Sequence, residues 1–380
     1  MFEKIDKTLK EKIILLNNDS FVDIIVYANS IGNLSRSIYK SLNFKELQEI
    51  PFLNCVFLKV RHKDIYKLAG MPSVTYITNN AKVSSLIYRS KKFLNYNSLK
   101  EKITTNSNHS VVVIDTGVYP HIDFCLGRNR IIKFVDLIND KQDMYDDNGH
   151  GTFVTGIICA NSITKNYDGM NKNVNIISIK ALDRNGETSA IKILEAMQWV
   201  MDNKDKYNIK IVCMSFGSFL QEKNDPLVKG VEVLWNNGIV VVSAGGNSGP
   251  ESETIMSPGG SKKIITVGSL DNIEIIPLRV ADFSSRGPVF NYFKPDMVLP
   301  GVNIISNNIF STNKKFYTNL SGTSMSTPMV AGIASLLLDY NSNYTPNQIK
   351  YMLINSCVKI TGDRNSEGFG YLDLSRLMLI

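Results

Sequence analysis

Three side chains far apart in the chain have the types needed for nucleophilic catalysis. Ser324 lies in Leu320-Ser-Gly-Thr-Ser-Met-Ser-Thr-Pro-Met-Val-Ala-Gly332, where a tight glycine turn gives way to the apolar run Ile333-Ala-Ser-Leu-Leu-Leu338. A serine hydroxyl is a weak nucleophile alone and needs an adjacent base, itself oriented by a third group. His150, between two glycines in Asp147-Asn-Gly-His-Gly-Thr152, is the candidate base. Asp115, near the end of Val111-Val-Val-Ile-Asp-Thr-Gly117, is the candidate orienting acid. Ser324 Oγ would attack a carbonyl, and His150 would take its proton and return one to the leaving group. Ionised Asp115 would hold one imidazole tautomer. Taken singly, each has a plainer reading: a turn-forming aspartate, a structural histidine, a capping serine. Their joint occurrence points to chemistry.

Regular elements must position these groups. Val111–Ile114 is a β-branched run that reads as a buried strand. Asp115 then sits at its C-terminal end, where open α/β sheets place their sites. Further buried strands are expected at Ile176–Ile179, Ile209–Met214, Ile239–Val242 and Ile264–Val267, and Ser189–Met201 sets Ile193, Met197 and Val200 on one helical face. Strands alternating with helices predict an α/β domain over residues 109–380, a parallel sheet flanked by helices. The glycines beside His150 allow a close backbone turn. A helix from Thr327 toward Leu338 would place Ser324 near the positive end of its dipole, with Pro328 in a first turn that can spare an amide.

Residues 1–82 follow another pattern. Strands at Phe21–Tyr27, near Leu47–Pro51, at Asn54–Val60 and at Val74–Ile77 alternate with short helices at Leu34–Leu42 and His62–Leu68. The order β-α-β-β-α-β is the ferredoxin-like split βαβ arrangement, a small α+β domain. Residues 83–108 read as a polar connector with weak periodicity, of the kind usually exposed and easily cut.

Composition narrows the classes. The 380 residues are 43% hydrophobic and 20% charged, the profile of an ordinary globular chain. The net charge of +7 is concentrated: residues 1–105 hold seventeen Lys/Arg against nine Asp/Glu, and the remainder is nearly neutral. No aromatic-interleaved basic motif accompanies it, so no nucleic-acid role is expected. The five cysteines (Cys55, Cys125, Cys159, Cys213 and Cys357) are odd in number, scattered and without a CxxC pair, which fits free thiols in a reducing compartment. No leader-like or membrane-length apolar run is seen, so no membrane role is expected and the cytoplasm is the expected location.

The blocks around Asp115, His150 and Ser324 resemble the three signature blocks of the subtilisin-like serine proteases (subtilases), in the family's Asp, His, Ser order. The likeness extends over roughly residues 109–375. It takes in Phe283-Ser-Ser-Arg-Gly-Pro288 and Lys294-Pro-Asp-Met-Val-Leu-Pro-Gly301, and is nearest to the intracellular alkaline subtilases. It implies a serine endopeptidase acting on peptides or proteins through an acyl-enzyme, with no cofactor required for the chemistry. Asn247, in Val240-Val-Val-Ser-Ala-Gly-Gly-Asn-Ser-Gly249, matches the family position whose side-chain amide stabilises the oxyanion, with the Ser324 amide as second donor. Ser215, Phe216 and Gly217, with Ala244, Gly245 and Gly246, match the two walls of the first substrate pocket. Met256 falls near its floor and suggests large apolar side chains.

The same resemblance implies that residues 1–82 are an inhibitor-type propeptide, an intramolecular partner removed by self-cleavage between about Asn80 and Arg89; a permanent accessory domain is the plainer reading. The chain departs from the family pattern at His150-Gly-Thr-Phe-Val-Thr-Gly156 and Gly169-Met-Asn-Lys172. The acidic run Asp136, Asp140, Asp143, Asp146 and Asp147 has the oxygen ligands that structural calcium takes, and equally reads as a solvated loop. Rival functions are a catalytically silent binding or signalling module on the same fold, and a peptide-ligating acyl transferase. The motif is not the Gly-x-Ser-x-Gly elbow of the α/β-hydrolases.

Overall fold

The computed structural model describes residues 4–6, 9, 10, 13, 17, 19–79, 86–104, 106–163, 165–220, 224–309 and 315–378. The chain divides into two compact units, Met1–Val83 and Ser84–Ile380. In the first, β1 (Phe21–Ala28), β2 (Phe44–Ile50), β3 (Cys55–Arg61) and β4 (Val74–Asn79) form an antiparallel sheet in the order β2-β3-β1-β4. Strict alternation along β1 buries Val22, Ile24, Val26 and Ala28 on one face. Leu34 and Ile38 of the helix Ile31–Ser41, with Ile65 and Leu68 of the helix His62–Ala69, complete that core. The observed β-α-β-β-α-β order is the one its periodicity predicts.

The second unit is built on β5 (Ser110–Asp115), β6 (Ile131–Asp136), β7 (Asn175–Lys180), β8 (Ile209–Met214), β9 (Val240–Ala244), β10 (Ile265–Leu270) and β11 (Met297–Pro300). A hairpin, β12 (Ile304–Asn307) and β13 (Tyr317–Leu320), stands apart. The short strands β14 (Cys357–Val358) and β15 (Tyr371–Leu372) close one edge, giving the sheet order β14-β15-β11-β10-β9-β8-β5-β7-β6. Every pair in this sheet is parallel except β14 with β15. β5, β9 and β10 are buried along their whole length, as expected when helices cover both faces. β5 lies between β7 and β8, so the chain leaves it on one side and returns on the other. That reversal opens a crevice beyond the C-terminal strand ends, lined by Thr116 after β5 and Ser215 after β8.

The structure departs from the sequence expectation in three places. Residues 83–108, expected to be a polar connector, include the helices Leu86–Phe93 and Tyr96–Lys100, and Leu94, Tyr96, Leu99 and Ile103 are buried in the core of the second unit. These apolar residues are too sparse for a periodic signal and are buried one at a time by tertiary contact. The helix carrying Ser324 begins at Thr323 rather than Thr327 and runs to Tyr340, which moves Pro328 into its interior. A proline there cannot donate to the carbonyl four residues back, so Ser324 C=O lacks its usual helical partner. The strands β6, β11, β12, β13, β14 and β15 are absent from the sequence expectation, because short runs do not distinguish strand from helix or loop. Among the described residues, no helix is long and apolar enough to cross a membrane.

Candidate active site

Asp115 closes β5 and is fully buried. Its Oδ1 accepts the Nδ1–H of His150 at 2.7 Å and the N–H of Thr116 at 2.8 Å. With Nδ1 so engaged, Nε2 is the nitrogen left to accept a proton. Burial pulls the His150 pKa down, but the charge of Asp115, its hydrogen bond and the charge of Asp146 outweigh it. The imidazole therefore stays protonated to a higher pH than an ordinary histidine. Behind the pair, fully buried Lys180 ends β7 and donates to the carbonyls of Thr116 at 2.7 Å and Leu182 at 3.1 Å, and to Asp147 Oδ1 at 2.6 Å. It ties the backbone after Asp115 to the loop before His150.

His150 is the first residue of the helix His150–Cys159. The start of that helix is fixed by Asp146. Its Oδ1 accepts from the Thr116 hydroxyl and the amides of Asn148 and Gly149, and its Oδ2 from the amide and hydroxyl of Thr152. Thr116 Oγ1 in turn accepts the Gly151 amide at 2.9 Å. Gly151 is required for close approach: a Cβ there would lie 2.2 Å from the Gly117 carbonyl oxygen. One carboxylate thus locks β5 to the helix bearing the imidazole.

Ser324 is second in its helix, so its amide has no intrahelical acceptor. Asn247 holds the same helix end: its Oδ1 accepts the Thr323 amide at 2.9 Å and the Thr323 hydroxyl at 3.0 Å. The amide oxygen is thereby occupied, and Nδ2 remains as a donor. The Ser324 hydroxyl donates to the Ser215 carbonyl at 2.7 Å. To pass its proton to His150 it must rotate away from that acceptor.

His150, Asn247 and Ser324 line one cavity of about 410 Å³ together with Ser215, Phe216, Gly217, Ala244, Gly246 and Met256. Gly245 and Asp115 stand behind it. Gly245 donates to the Val267 carbonyl and accepts from the Met256 amide, so its backbone is already used. Met256 lies between the two walls: a Cβ at Gly217 would come within 2.7 Å of Met256 Cβ, and one at Gly246 (φ +108°) within 2.5 Å of Met256 Cγ. A second cavity of about 400 Å³ shares Leu182, Gly186, Phe216, Gly217 and Met256 with the first and continues past Ile193 and Leu227. Sequence reasoning missed Thr116, Lys180 and the role of Asp146. A lysine ending an apolar strand, and an aspartate four residues before the histidine, were the available signals.

The acidic run before His150 is largely committed to its own chain. Asp136 accepts from the amides of Ile138, Asn139 and Lys141 and from the Tyr145 hydroxyl; despite burial, those bonds hold its pKa below the usual carboxylate value. Asp146 and Asp147 are bonded as described. Among the described residues, no three His, Cys, Asp or Glu side chains converge as metal ligands would. The departures at Phe153, Asn171 and Lys172 are also accommodated: Asn171 Nδ2 donates to Ser335 Oγ and Asp339 Oδ2, both at 2.8 Å, and the Lys172 ammonium to Asp168 Oδ2 at 3.0 Å. Phe153 is fully buried with its carbonyl accepting from the Ser306 hydroxyl, and the Gly169 amide caps Ala160.

Comparison with known proteins agrees with this geometry. A family model described as the subtilase family matches residues 106–371. Serine protease AprX of Bacillus subtilis is 42% identical over 279 residues, 67% of this chain and 62% of AprX, so the match spans just under two thirds of that relative. Thermostable alkaline protease of Halalkalibacterium halodurans is 31% identical over 333 residues, 87% of this chain and 84% of that protein. Among solved structures, a cold adapted subtilisin-like serine proteinase superposes with a TM-score of 0.58 at 28% identity, covering 72% of this chain and 93% of that one. Sphericase gives 0.62 at 26%, covering 73% and 97%. With 42% identity to one relative and a family match over residues 106–371, the chain belongs to the subtilase family.

Proposed function

We propose that this chain is a serine endopeptidase that cleaves peptide bonds through an acyl-enzyme on Ser324. The observation that carries the reading is the 2.7 Å Asp115–His150 bond on the cavity that also holds Ser324 and Asn247. Ser324 Oγ attacks the scissile carbonyl as His150 Nε2 takes its proton. The imidazolium, stabilised by Asp115, then protonates the leaving amine. Asn247 Nδ2 and the Ser324 amide donate to the developing oxyanion. Water repeats the sequence to release the acid. Every step uses groups of this chain. An extended peptide would lie between Ser215–Gly217 and Ala244–Gly246, and the Met256 side chain favours a large apolar residue before the cut bond. The names of the relatives, serine protease AprX and thermostable alkaline protease, support the reaction class.

The first unit is read as an inhibitory prodomain, with self-cleavage between about Asn80 and Arg89. Residues 80–85 of that interval lie outside the described residues. All five cysteines are free thiols, which supports a reducing, cytoplasmic setting. A silent binding module is favoured by one observation, the Ser324 hydroxyl bonded to Ser215 rather than to His150. A fluorophosphonate probe separates the two readings. One equivalent bound to Ser324, lost in Ser324→Ala, is the enzyme's result; a processed protein that never labels would be the module's.

A further inference from the structure

Part of the basic surplus is unused by the catalytic reading. Residues 84–105 carry five Lys/Arg against one acidic residue. Beside the helices Leu86–Phe93 and Tyr96–Lys100 lies a cavity of about 450 Å³, distinct from the catalytic one, lined by Lys91, Lys92, Lys100 and Lys165. Its one lining carboxylate among the described residues, Asp168, is occupied by the Lys172 ammonium at 3.0 Å and the Ser162 amide at 2.9 Å. Like charges gathered round one hollow repel, and an entering anion relieves that repulsion. Ammonium groups only donate, so the lining matches oxyanion oxygens, and the volume is that of a small-molecule site. We infer that this cavity binds a compact multivalent phosphate of the di- or triphosphate class.

Lys91 is the half-buried member of the set. It donates to the Gly169 carbonyl at 2.7 Å, and its ammonium lies 4.7 Å from the Tyr96 ring centre, which leaves two N–H groups for a ligand. Burial pushes its pKa down to about 7; Asp168 opposes this, while Lys100 and Lys172 add to it. A bound phosphate supplies the missing counter-charge, so Lys91 takes up a proton on binding above pH 7. The site also touches the catalytic helix indirectly. Lys91 and the Tyr96 hydroxyl hold the carbonyls of Gly169 and Met170. The amides of Gly169, Met170 and Asn171 donate to Ala160, Ile157 and Ile158, at the end of the His150–Cys159 helix remote from the imidazole.

Isothermal titration of the full chain with sodium tripolyphosphate tests this, in the Ser324→Ala background to prevent self-digestion. The titrations run at pH 8 and fixed ionic strength, in Tris and in HEPES. One equivalent should bind, with heats that differ between the buffers by the net proton exchange of lysine and polyphosphate together, and Lys91→Gln should shift that difference toward proton release. Lys92→Gln/Lys100→Gln/Lys165→Gln, whose side chains are exposed, should keep the parent melting temperature and bind at least about tenfold more weakly, since charge-assisted hydrogen bonds are lost. Undiminished binding by the triple variant would move the phosphate elsewhere. Equal heat from sodium sulfate at the same ionic strength would reduce the effect to screening. Either result, or no binding, overturns the site.

Discussion

At the scale of residues, two carboxylates act on one imidazole. Asp115 binds it directly, whereas Asp146 acts by charge and by fixing the first turn of its helix. A base must be neutral to accept the serine's proton, so kcat/KM should fall as pH drops through the His150 pKa. Because that pKa is raised, the acid limb should lie above pH 6.5, the ordinary histidine value. Asp146→Asn removes one source of the raise and should move the limb to lower pH while kcat falls. A pH–rate profile with an unmoved limb would remove Asp146 from the account. Asn247 makes a separable contribution. If Asn247 Nδ2 serves the oxyanion as proposed, Asn247→Ala should lower kcat by about 10²–10³ with little change in KM, because that oxygen becomes charged only in the transition state. A loss confined to KM would mean that it merely binds substrate.

At the scale of elements, the segment of residues 94–103 contributes Leu94, Tyr96, Leu99 and Ile103 to the second unit's core, although its composition suggests a tether. Leu99 is 1% exposed, so Leu99→Ala should destabilise by about 2–5 kcal/mol, measured as a lower urea midpoint of the second unit's transition. An unchanged midpoint would return the segment to the status of a linker. The contrast shows what can be read from the sequence. The strands β5, β7 and β8 were legible because both faces are buried and each reads as a continuous apolar run. Asp115, His150 and Ser324 were legible because each stands in a distinctive local block: the end of an apolar strand, a histidine between two glycines, and a glycine turn before an apolar run. Leu94, Tyr96 and Leu99 were not, because burial by distant partners leaves no local period. The early start of the Ser324 helix was hidden similarly, since its cap, the Asn247 side chain, lies 76 residues away.

At the scale of the whole molecule, two units with separate cores raise the question of whether the first is kept or removed. The split βαβ unit has its own buried set from Val22 to Ile77, the requirement for an independently folded piece. If the second unit is a serine endopeptidase and the first its prodomain, the segment joining them is a substrate that every chain carries. Purified wild-type protein should then separate into two species whose masses account for the full 42.5 kDa chain, with a new N-terminus within residues 81–90. Ser324→Ala should remain one 42.5 kDa chain, and a trace of active enzyme should cut it at the same bond. Intact mass and N-terminal sequencing decide this without knowledge of the physiological substrate. A wild-type chain that labels with fluorophosphonate yet keeps Met1 attached would leave the peptidase standing and make the first unit a permanent domain. A Ser324→Ala chain cut as readily as wild type, in the absence of any added enzyme, would place the scission with a contaminating protease.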